Sequence, residues 1–188
     1  RGDLKAGEHA LIIGAGPIGL SAIEFVKVAG ARCIVMDVNE ARLQFCRERM
    51  GVDHTIATRG DGKELEALQA ITGGQLADVV IDATGSNKSM SHALNYCTFG
   101  GRLVYVGITQ QEVSFPHAPI MHRRELSIRA SRNALSRDFA RIIELIETGR
   151  INTDPWITHR ARFDDMIAQF PTWLKPESGV IKAMVAME

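Results

Sequence analysis

A doubly wound, parallel α/β sheet with helices on both faces is the fold class that this sequence predicts, and three observations indicate it. Short apolar runs of strand length alternate with helix-length segments through the first 150 residues. A glycine-rich loop joins the first run to the first helix, and an acidic residue, Asp37, ends the second run. Such alternation favours parallel strands joined by right-handed helical crossovers. We expect six strands in the order 3-2-1-4-5-6, with residues 151–188 as a short C-terminal appendage.

The first strand, helix and strand carry the strongest chemical signal. A Gly-x-Gly-x-x-Gly loop follows the strand at residues 10–13 and opens a helix over 18–29. In the Rossmann fold the first glycine permits the tight turn, the second allows close approach of a diphosphate, and the third lets the helix pack on the sheet. The helix start then offers free N–H groups to the phosphates. We therefore predict dinucleotide contacts at Gly14, Gly16, Pro17, Ile18 and Gly19.

Asp37 follows the second strand, eighteen residues beyond Gly19. A carboxylate at this point accepts hydrogen bonds from the adenosine ribose and repels a 2′-phosphate, so the sequence favours NAD over NADP. Val38 belongs to the same predicted cofactor site, as does Arg42, one turn into the next helix, which can cover the adenine or reach the ribose. A methyltransferase that binds S-adenosylmethionine has a similar layout of loop and acid, and it stays open as an alternative.

Hydrophobic periodicity places the other elements of this domain, which we assign to residues 1–150. The expected strands cover residues 10–13, 32–36, 54–57, 78–83, 103–106 and 126–130. After the first helix, further helices are expected over residues 40–50, 63–72, 87–96 and 137–148. Asn39, Ser86 and Ser136 have the short polar side chains that cap helix starts. In the appendage we expect a strand, a helix and a strand over residues 156–160, 164–170 and 180–185.

Four local expectations concern the second half of the chain. Gly100-Gly101 turns the chain before the fifth strand, and residues 108–121, which have two prolines and no clear period, form a loop. Residues 126–130 alternate in polarity as a half-exposed edge strand does. The helix that Ser136 caps is strongly amphipathic, and its apolar side holds Phe139, Ile142, Ile143, Leu145 and Ile146.

Three further loops are candidate cofactor contacts, because ligands of such sheets lie across the carboxyl ends of the strands. Thr84-Gly85 follows the fourth strand and faces the adenosine side. Val106-Gly107-Ile108 follows the fifth strand and leaves backbone groups free for the nicotinamide carboxamide. Ser131-Arg132 follows the sixth strand, where Arg132 and the neighbouring Asn133 would flank the nicotinamide or the substrate.

The composition argues against several classes of function. The 188 residues carry 22 basic and 22 acidic side chains, with no basic run longer than Arg123-Arg124, so neither nucleic acid nor an anionic membrane is an expected partner. No apolar stretch approaches the roughly 20 residues that span a bilayer, and no signal-like segment opens the chain. A small molecule is the expected partner, and the cytoplasm is the expected compartment.

The residues that commonly bind metals show no ligand spacing. The three cysteines, Cys33, Cys46 and Cys97, are odd in number and far apart, as buried thiols in a reducing compartment are. None of the six histidines forms an i, i+4 pair. We therefore predict that this chain carries no metal site.

Six segments are distinctive when taken together: residues 14–20, Asp37 with Arg42, and residues 78–85, 100–107, 123–128 and 179–182. Together they resemble the coenzyme-binding half of the zinc-dependent medium-chain alcohol dehydrogenases. The resemblance covers essentially the whole chain and is closest to the polyol, threonine and sugar-acid branch, which includes sorbitol and galactonate or gulonate dehydrogenases. It implies oxidation of a secondary alcohol on a polyol or sugar acid, with hydride transfer to NAD and zinc as a Lewis acid.

The resemblance also implies roles for particular residues. Lys182 matches a basic residue that returns beside the coenzyme diphosphate, and Arg132 matches an arginine near the substrate of sorbitol-type members. Asn133 stands where the sorbitol enzymes have an aromatic residue, which argues against sorbitol as the substrate. Residues Leu126 to Ala130 match the edge strand through which two subunits join their sheets, so a homo-oligomer is implied.

In this family a preceding catalytic domain supplies the zinc ligands and the proton relay. The resemblance therefore implies zinc only in that missing domain, no catalytic residue among these 188, and a chain that binds NAD but is inactive alone. Residues 151–188 would return to the catalytic domain. A stand-alone module that senses the redox state of NAD is a second alternative, beside the methyltransferase.

Overall fold

The computed structural model describes residues 1–187 and confirms a six-stranded parallel sheet in the order β3-β2-β1-β4-β5-β6. The strands are β1 (His9–Ile13), β2 (Arg32–Asp37), β3 (His54–Ala57), β4 (Ala77–Asp82), β5 (Cys97–Tyr105) and β6 (Ser127–Ala130). The strand order reverses between β1 and β4, so the carboxyl ends of these two strands flank the switch point. Glu188, the last residue of the predicted appendage, lies outside the described residues.

Helices flank the sheet and connect its strands. They are α1 (Pro17–Val28), α2 (Glu40–Met50), α3 (Glu64–Ile71), α4 (Asn87–His92), α5 (Ser136–Glu147) and α6 (Met166–Trp173). The predicted caps are present at α2, where the Asn39 side chain accepts a hydrogen bond from the Arg42 N–H and Gly51 ends the helix with a φ of 58°. Ser86 likewise accepts a hydrogen bond from the Ser89 N–H at the start of α4.

The two faces of the sheet bury separate apolar layers. One layer packs Leu20 and Ile23 of α1 against Ile12 of β1, and the other packs Leu11 of β1 against Leu68 of α3. All five side chains are fully buried, and burial of each stabilises the fold by about 1.5–3 kcal/mol. Because successive strand residues point to opposite faces, β1 supplies side chains to both layers and forms the centre of the fold.

The structure corrects the prediction for the start of β5. This strand begins at Cys97, so the bend at Gly100-Gly101 lies within the strand and not ahead of it. Cys97 pairs with Ala77 on β4, the register then shifts around the glycines, and Arg102 pairs with Val79. A neighbouring strand therefore extends β5 across a glycine pair that by itself is typical of a turn.

Three helical predictions also change. The helix expected to reach residue 96 ends at His92, and a 3-10 turn follows over Ala93–Tyr96. A helical turn over His117–His122 interrupts the predicted loop. Ser136 does not cap α5 but is its first residue, because the Asp138 carboxylate accepts the hydrogen bond of the preceding Leu135 N–H at 2.8 Å.

The C-terminal segment forms a second, two-stranded parallel sheet of β7 (Ile157–Arg162) and β8 (Lys182–Ala186), joined through α6. The predicted order of strand, helix and strand is correct, with shifted ends. The apolar side of α5 is largely uncovered: Leu145 is buried, but Phe139 is 59% exposed. No helix of the described chain is both long enough and apolar enough to cross a membrane.

Candidate functional site

The glycine loop forms a tight turn from β1 into α1. Gly14 has a φ of 102°, which residues with a side chain rarely adopt, and its N–H donates to the Met36 carbonyl of β2 at 2.8 Å. A Cβ on Gly19 would overlap the Gly14 carbonyl oxygen, so only glycine lets α1 begin this close to β1. The tight turn and the close packing expected of these two glycines are therefore both present.

The start of α1 is open. Gly16 stands at the N-cap, and a Cβ built on it meets no heavy atom within 4 Å. In the described residues no side chain caps the first N–H groups of the helix. Pro17, the first helical residue, has no N–H to satisfy. The exposed helix start at Pro17 and Ile18 therefore presents free N–H groups, and the positive end of the helix dipole, to open space.

Asp37 ends β2 beside this loop. Its Oδ2 accepts a hydrogen bond from the Ala15 N–H at 2.5 Å, and its Oδ1 accepts one from the Asn39 N–H at 2.7 Å. Because each carboxylate oxygen can accept a second hydrogen bond, the carboxylate is held in place and keeps the capacity to bind hydroxyl groups of a ligand. Val38, the next residue, is 79% exposed.

Arg42 connects this part of the site to the C-terminal segment. Its Nη2 donates to the Val180 carbonyl at 2.9 Å, although the two residues are 138 positions apart in the sequence. Its Nη1 is buried and meets no acceptor in the described chain. Since buried polar groups are normally hydrogen-bonded, this nitrogen is a candidate to bind a ligand oxygen. Lys182, which begins β8, is exposed two residues beyond Val180.

The loops after β4 and β5 touch each other. A Cβ on Gly85 would lie 2.9 Å from the Ile108 carbonyl oxygen, and a Cβ on Gly107 would lie 3.1 Å from the Gly85 Cα. The structure thus brings Thr84-Gly85 and Val106-Gly107-Ile108 together at one edge of the sheet. Thr84 is exposed there, and Ile108 is exposed over 81% of its surface.

The end of β6 reaches the same edge. The Ser131 N–H donates to the Tyr105 carbonyl at 2.9 Å, which holds Ser131 beside the end of β5. Arg132 and Asn133 lie on the surface immediately after this pairing, and Asn133 has a left-handed backbone with a φ of 54°. The predicted positions on three strands, β4, β5 and β6, therefore converge.

Two clefts flank the glycine loop. The first cleft, of about 500 Å³, lies between α1 and the ends of β4 to β6, and Ile18, Val106 and Ser131 line it. The second cleft, of about 540 Å³, lies at the ends of β1 to β3 and the start of α4, and Val38 lines it. Both volumes fall in the range of small-molecule sites. Four of the predicted residues thus line these clefts, three in the first and one in the second, and the other predicted residues line neither.

The sequence analysis missed several residues of the second cleft, namely Thr58, Arg59, Ser86, Lys88 and Ser89. Two of them directly follow β3, and the others lie at the start of α4. The same argument from carboxyl ends that selected Thr84 could have found them, had it been extended to β3 and to the first turn of α4. It also missed Asp82, a fully buried carboxylate at the end of β4.

Two titratable groups lie on the α3 and α4 side of the sheet. Burial opposes ionisation of Glu64, but hydrogen bonds from backbone N–H groups, including those of Arg59 and Gly60, hold the pKa of its carboxyl below the ordinary value. Burial, with a smaller contribution from Asp82, raises the pKa of Tyr105 to about 12. At neutral pH this side of the sheet therefore carries a charged Glu64 and a neutral Tyr105.

The metal-binding residue types do not converge. Within residues 1–187 no group of three His, Cys, Asp or Glu side chains is placed to hold a metal ion. The three cysteines are free thiols, and burial raises the pKa of Cys97 to about 12. The described residues therefore do not fit a zinc site.

Known proteins with similar sequences are dehydrogenases. A family model described as zinc-binding dehydrogenase matches residues 17–148. L-galactonate-5-dehydrogenase from Escherichia coli K12 is 37% identical over 164 residues, which are 87% of this chain and 47% of that protein. L-arabinitol 4-dehydrogenase from Hypocrea jecorina is 30% identical over 189 residues, which are 98% of this chain and 50% of that protein. The chain thus spans about half the length of the curated relatives it matches.

A solved structure supports the fold. An alcohol dehydrogenase from Escherichia coli CFT073, in complex with the cofactor NADH, superposes with a TM-score of 0.87 over 99% of this chain and 54% of that chain. The two sequences are 24% identical. At this identity the likeness concerns the fold alone, and the fold is the doubly wound sheet described above.

Proposed function

The chain belongs to the zinc-binding dehydrogenase family, and we propose that it is the coenzyme-binding half of an NAD-dependent alcohol dehydrogenase. The observation that carries the proposal is the uncapped start of α1 at Gly16, set beside an Asp37 carboxylate that hydrogen-bonds to the same loop. A diphosphate requires the first feature, and the hydroxyls of an adenosine ribose require the second.

We assign the adenosine half of NAD to the edge between β1, β2 and the second cleft. The N–H groups of Gly16, Ile18 and Gly19 would hold the diphosphate, Asp37 would accept hydrogen bonds from the ribose hydroxyls, and Val38 would contact the adenine. The Nη1 of Arg42, buried without an acceptor, fits a ribose or phosphate oxygen. Lys182, two residues beyond the Val180 carbonyl that Arg42 contacts, adds positive charge on the same side.

We assign the nicotinamide half to the ends of β5 and β6. Val106-Gly107-Ile108 lies there, in contact with Gly85 of the adenosine-side loop Thr84-Gly85, and Ser131-Arg132 closes the group. Bound NAD supplies the chemistry by accepting a hydride from the alcohol carbon. The residues of this chain orient the ring, and the apolar side chains of Val106, Ile108 and Ile18 exclude water beside it.

For the whole protein we propose oxidation of a secondary alcohol on a polyol or a sugar acid. The support is the pair of relatives, one named for a sugar acid and one for a polyol. The described residues do not fit a zinc site, so a zinc ion of the whole enzyme would be bound by residues outside this chain. By itself the chain would bind NAD without catalysing the reaction.

We further propose that residues 1–150 form the Rossmann domain and that residues 151–188 pack against the other half of the enzyme. The support is the uncovered apolar surface of this segment. Ile167 is 92% exposed, Leu174 is 70% exposed and Phe163 is 59% exposed. Apolar side chains left exposed together usually mark an interface, and a two-stranded sheet such as β7 and β8 needs further packing to be stable.

Isothermal titration calorimetry with NAD and NADP tests the proposal. We expect NAD to bind more tightly, and we expect Asp37→Ala to reduce the preference because the repulsion of a 2′-phosphate is lost. Asp53→Ala is the matched control, since it removes an exposed carboxylate that precedes β3 at the opposite edge of the sheet. Tighter binding of NADP to the wild-type chain would contradict the role of Asp37. Thermal stabilisation by S-adenosylmethionine instead of NAD would favour a methyltransferase.

We propose that the chain forms a homo-oligomer through β6. This strand is at the edge of the sheet. The Ser131 N–H donates to β5, and successive N–H groups along a strand point to opposite sides, so those of Ile128 and Ala130 point away from the sheet. In analytical ultracentrifugation we expect Ala130→Pro, which removes one outward donor, to be monomeric and Ala130→Val to remain associated. A monomeric wild-type chain would refute this arrangement.

We propose the cytoplasm as the compartment of the protein. The three free cysteines support a reducing environment. Fractionation of cells that express the full-length protein from its own gene tests this, and recovery of the protein in an oxidising compartment would contradict it.

A further inference from the structure

Asp82, the last residue of β4, carries a buried carboxylate that the coenzyme contacts assigned above do not use. Its exposure is 0%. Its Oδ1 accepts hydrogen bonds from the Thr84 N–H at 2.9 Å and the Thr84 hydroxyl at 2.7 Å, and its Oδ2 accepts one from the Ser89 hydroxyl at 2.6 Å. In residues 1–187 no Lys, Arg or His lies within ion-pair distance of it. Three hydrogen-bond donors, and no cation, therefore compensate for its removal from water.

These bonds shape the loop that leads into α4. The Thr84 hydroxyl, while donating to Asp82, accepts a hydrogen bond from the Ser86 N–H at 3.1 Å. Ser86 in turn caps α4. A continuous series of hydrogen bonds therefore runs from the buried carboxylate to the start of the helix and fixes the backbone of Thr84 to Ser86.

The main chain of Asp82 holds the neighbouring loop as well. Its carbonyl oxygen accepts hydrogen bonds from the N–H groups of Val106 and Gly107, both at 2.9 Å. The two loops meet again where Gly85 packs on Gly107 and Ile108. One residue thus connects the loop assigned to the adenosine side with the loop assigned to the nicotinamide side.

We propose that Asp82 is a positioning residue for the coenzyme. Its carboxylate holds Thr84 to Ser86 in the shape that admits the adenosine half, and the contact of Gly85 with Gly107 extends this order to the nicotinamide half. The inference rests on the proposed NAD site. Asp82 acts through the positions of its acceptor oxygens and not through its charge. The residues that contact a ligand are placed precisely only when hydrogen bonds from neighbouring residues hold them.

Substitutions of Asp82 distinguish shape from charge. An asparagine can direct its amide oxygen to both donors of Thr84 and its amide nitrogen to the Ser89 hydroxyl, which can accept. We therefore expect Asp82→Asn to bind NAD within about threefold of the wild-type affinity. Asp82→Ala frees all three donors, so we expect its affinity for NAD to fall about tenfold or more.

Calorimetry measures the affinity of each variant for NAD, at a temperature at which circular dichroism shows that every variant is folded. Thr72→Ala is the matched control, because Thr72 is 5% exposed and accepts a hydrogen bond from the Leu76 N–H at 2.9 Å in the connection that leads to the amino end of β4. We expect this control to lower Tm without changing the affinity for NAD. A loss of affinity in the control equal to that in Asp82→Ala would attribute the effect to stability and overturn the inference.

The remaining outcomes separate this inference from the proposed function. If the wild-type chain binds no NAD, both fail. If the wild-type chain binds NAD and Asp82→Ala binds it equally well, or Asp82→Asn binds it as weakly as Asp82→Ala, only the positioning role fails. Should Asp82→Ala not fold, Ser89→Ala replaces it: we expect faster hydrogen exchange at the Thr84 to Ser86 amides and an affinity about threefold weaker. Unchanged exchange and affinity in Ser89→Ala would overturn the inference.

Discussion

Alanine substitutions at Gly16 and Gly19 distinguish an effect on coenzyme binding from an effect on the stability of the fold, because the two glycines of this loop have different surroundings. A Cβ on Gly19 overlaps the Gly14 carbonyl oxygen and lies 2.9 Å from the carbonyl carbon, whereas a Cβ on Gly16 meets nothing within 4 Å. The backbone of Gly16, at φ −79° and ψ −179°, is open to any residue. Gly19→Ala must therefore displace α1, and Gly16→Ala need not.

The cost at Gly19 follows from this overlap. Carbon and carbonyl oxygen atoms normally stand about 3.3 Å apart or more, so α1 has to move away from β1 by about 1 Å or more. That movement disturbs the packing of Leu20, Ile23 and Val26, which are fully buried. Overpacking costs about 1–3 kcal/mol and lost core contacts add to it. We expect Gly19→Ala to lower the free energy of unfolding by about 3 kcal/mol, a fall in Tm of about 6–12 °C at this chain length.

Urea denaturation and NAD calorimetry on the two variants test the reasoning. We expect Gly16→Ala to unfold within about 1 kcal/mol of the wild-type chain. Its affinity for NAD should nevertheless fall about tenfold or more, or about 1.4 kcal/mol, because a methyl group then occupies the approach of the diphosphate. Wild-type affinity in Gly16→Ala would refute the diphosphate assignment. Wild-type stability in Gly19→Ala would refute the argument from close approach.

Three other predictions concern the rest of the chain. Arg42→Ala removes the hydrogen bond to the Val180 carbonyl, so hydrogen exchange at residues 180–186 should become faster, and unchanged exchange would argue against that link. Burial opposes ionisation of Glu8, but the hydrogen bond and charge of Arg102 at 2.6 Å hold the pKa of Glu8 below 4.5. The ionised Glu8 carboxylate therefore stabilises the folded chain above the pKa that Glu8 has in the unfolded chain, and this stabilisation is lost as pH falls through its pKa in the folded chain. We expect the free energy of unfolding of Glu8→Gln to fall less steeply with acid than that of the wild-type chain, measured by urea denaturation at a series of pH values. Burial raises the pKa of Cys97 to about 12 and that of Cys46 to about 11, so we expect iodoacetamide to label both thiols only as fast as the chain unfolds, measured by mass spectrometry.

Elements whose ends depend on neighbouring residues could be predicted from the sequence. The boundaries of α2 are the expected ones because Asn39 and Gly51 set both of its ends locally. Elements that depend on distant partners were placed less well. β5 extends back to Cys97 because β4 lies beside it, and α5 begins at Ser136 because a carboxylate one turn later supplies the cap. No local pattern around Gly100 or Ser136 carries that information.

The candidate site divides in the same way. Topology alone predicts that Gly14, Asp37, Thr84 and Gly107 meet, because the carboxyl ends of parallel strands share one edge. The contacts between their side chains and distant segments could not be predicted, since periodicity does not specify which remote carbonyl a guanidinium will reach. The amphipathic pattern of α5 likewise predicts an apolar side but not what covers it, and Phe139 remains largely exposed in the described structure.

The hydrogen bond between Arg42 and Val180 can form only late during synthesis of the chain. At about 5–20 residues per second, a separation of 138 residues delays synthesis of the acceptor by about 7–28 s. Strands β1 to β6 are complete at Ala130 and can pair during that interval. The nascent sheet can therefore assemble while the guanidinium is still hydrated, before the carbonyl that Arg42 will contact has been synthesised.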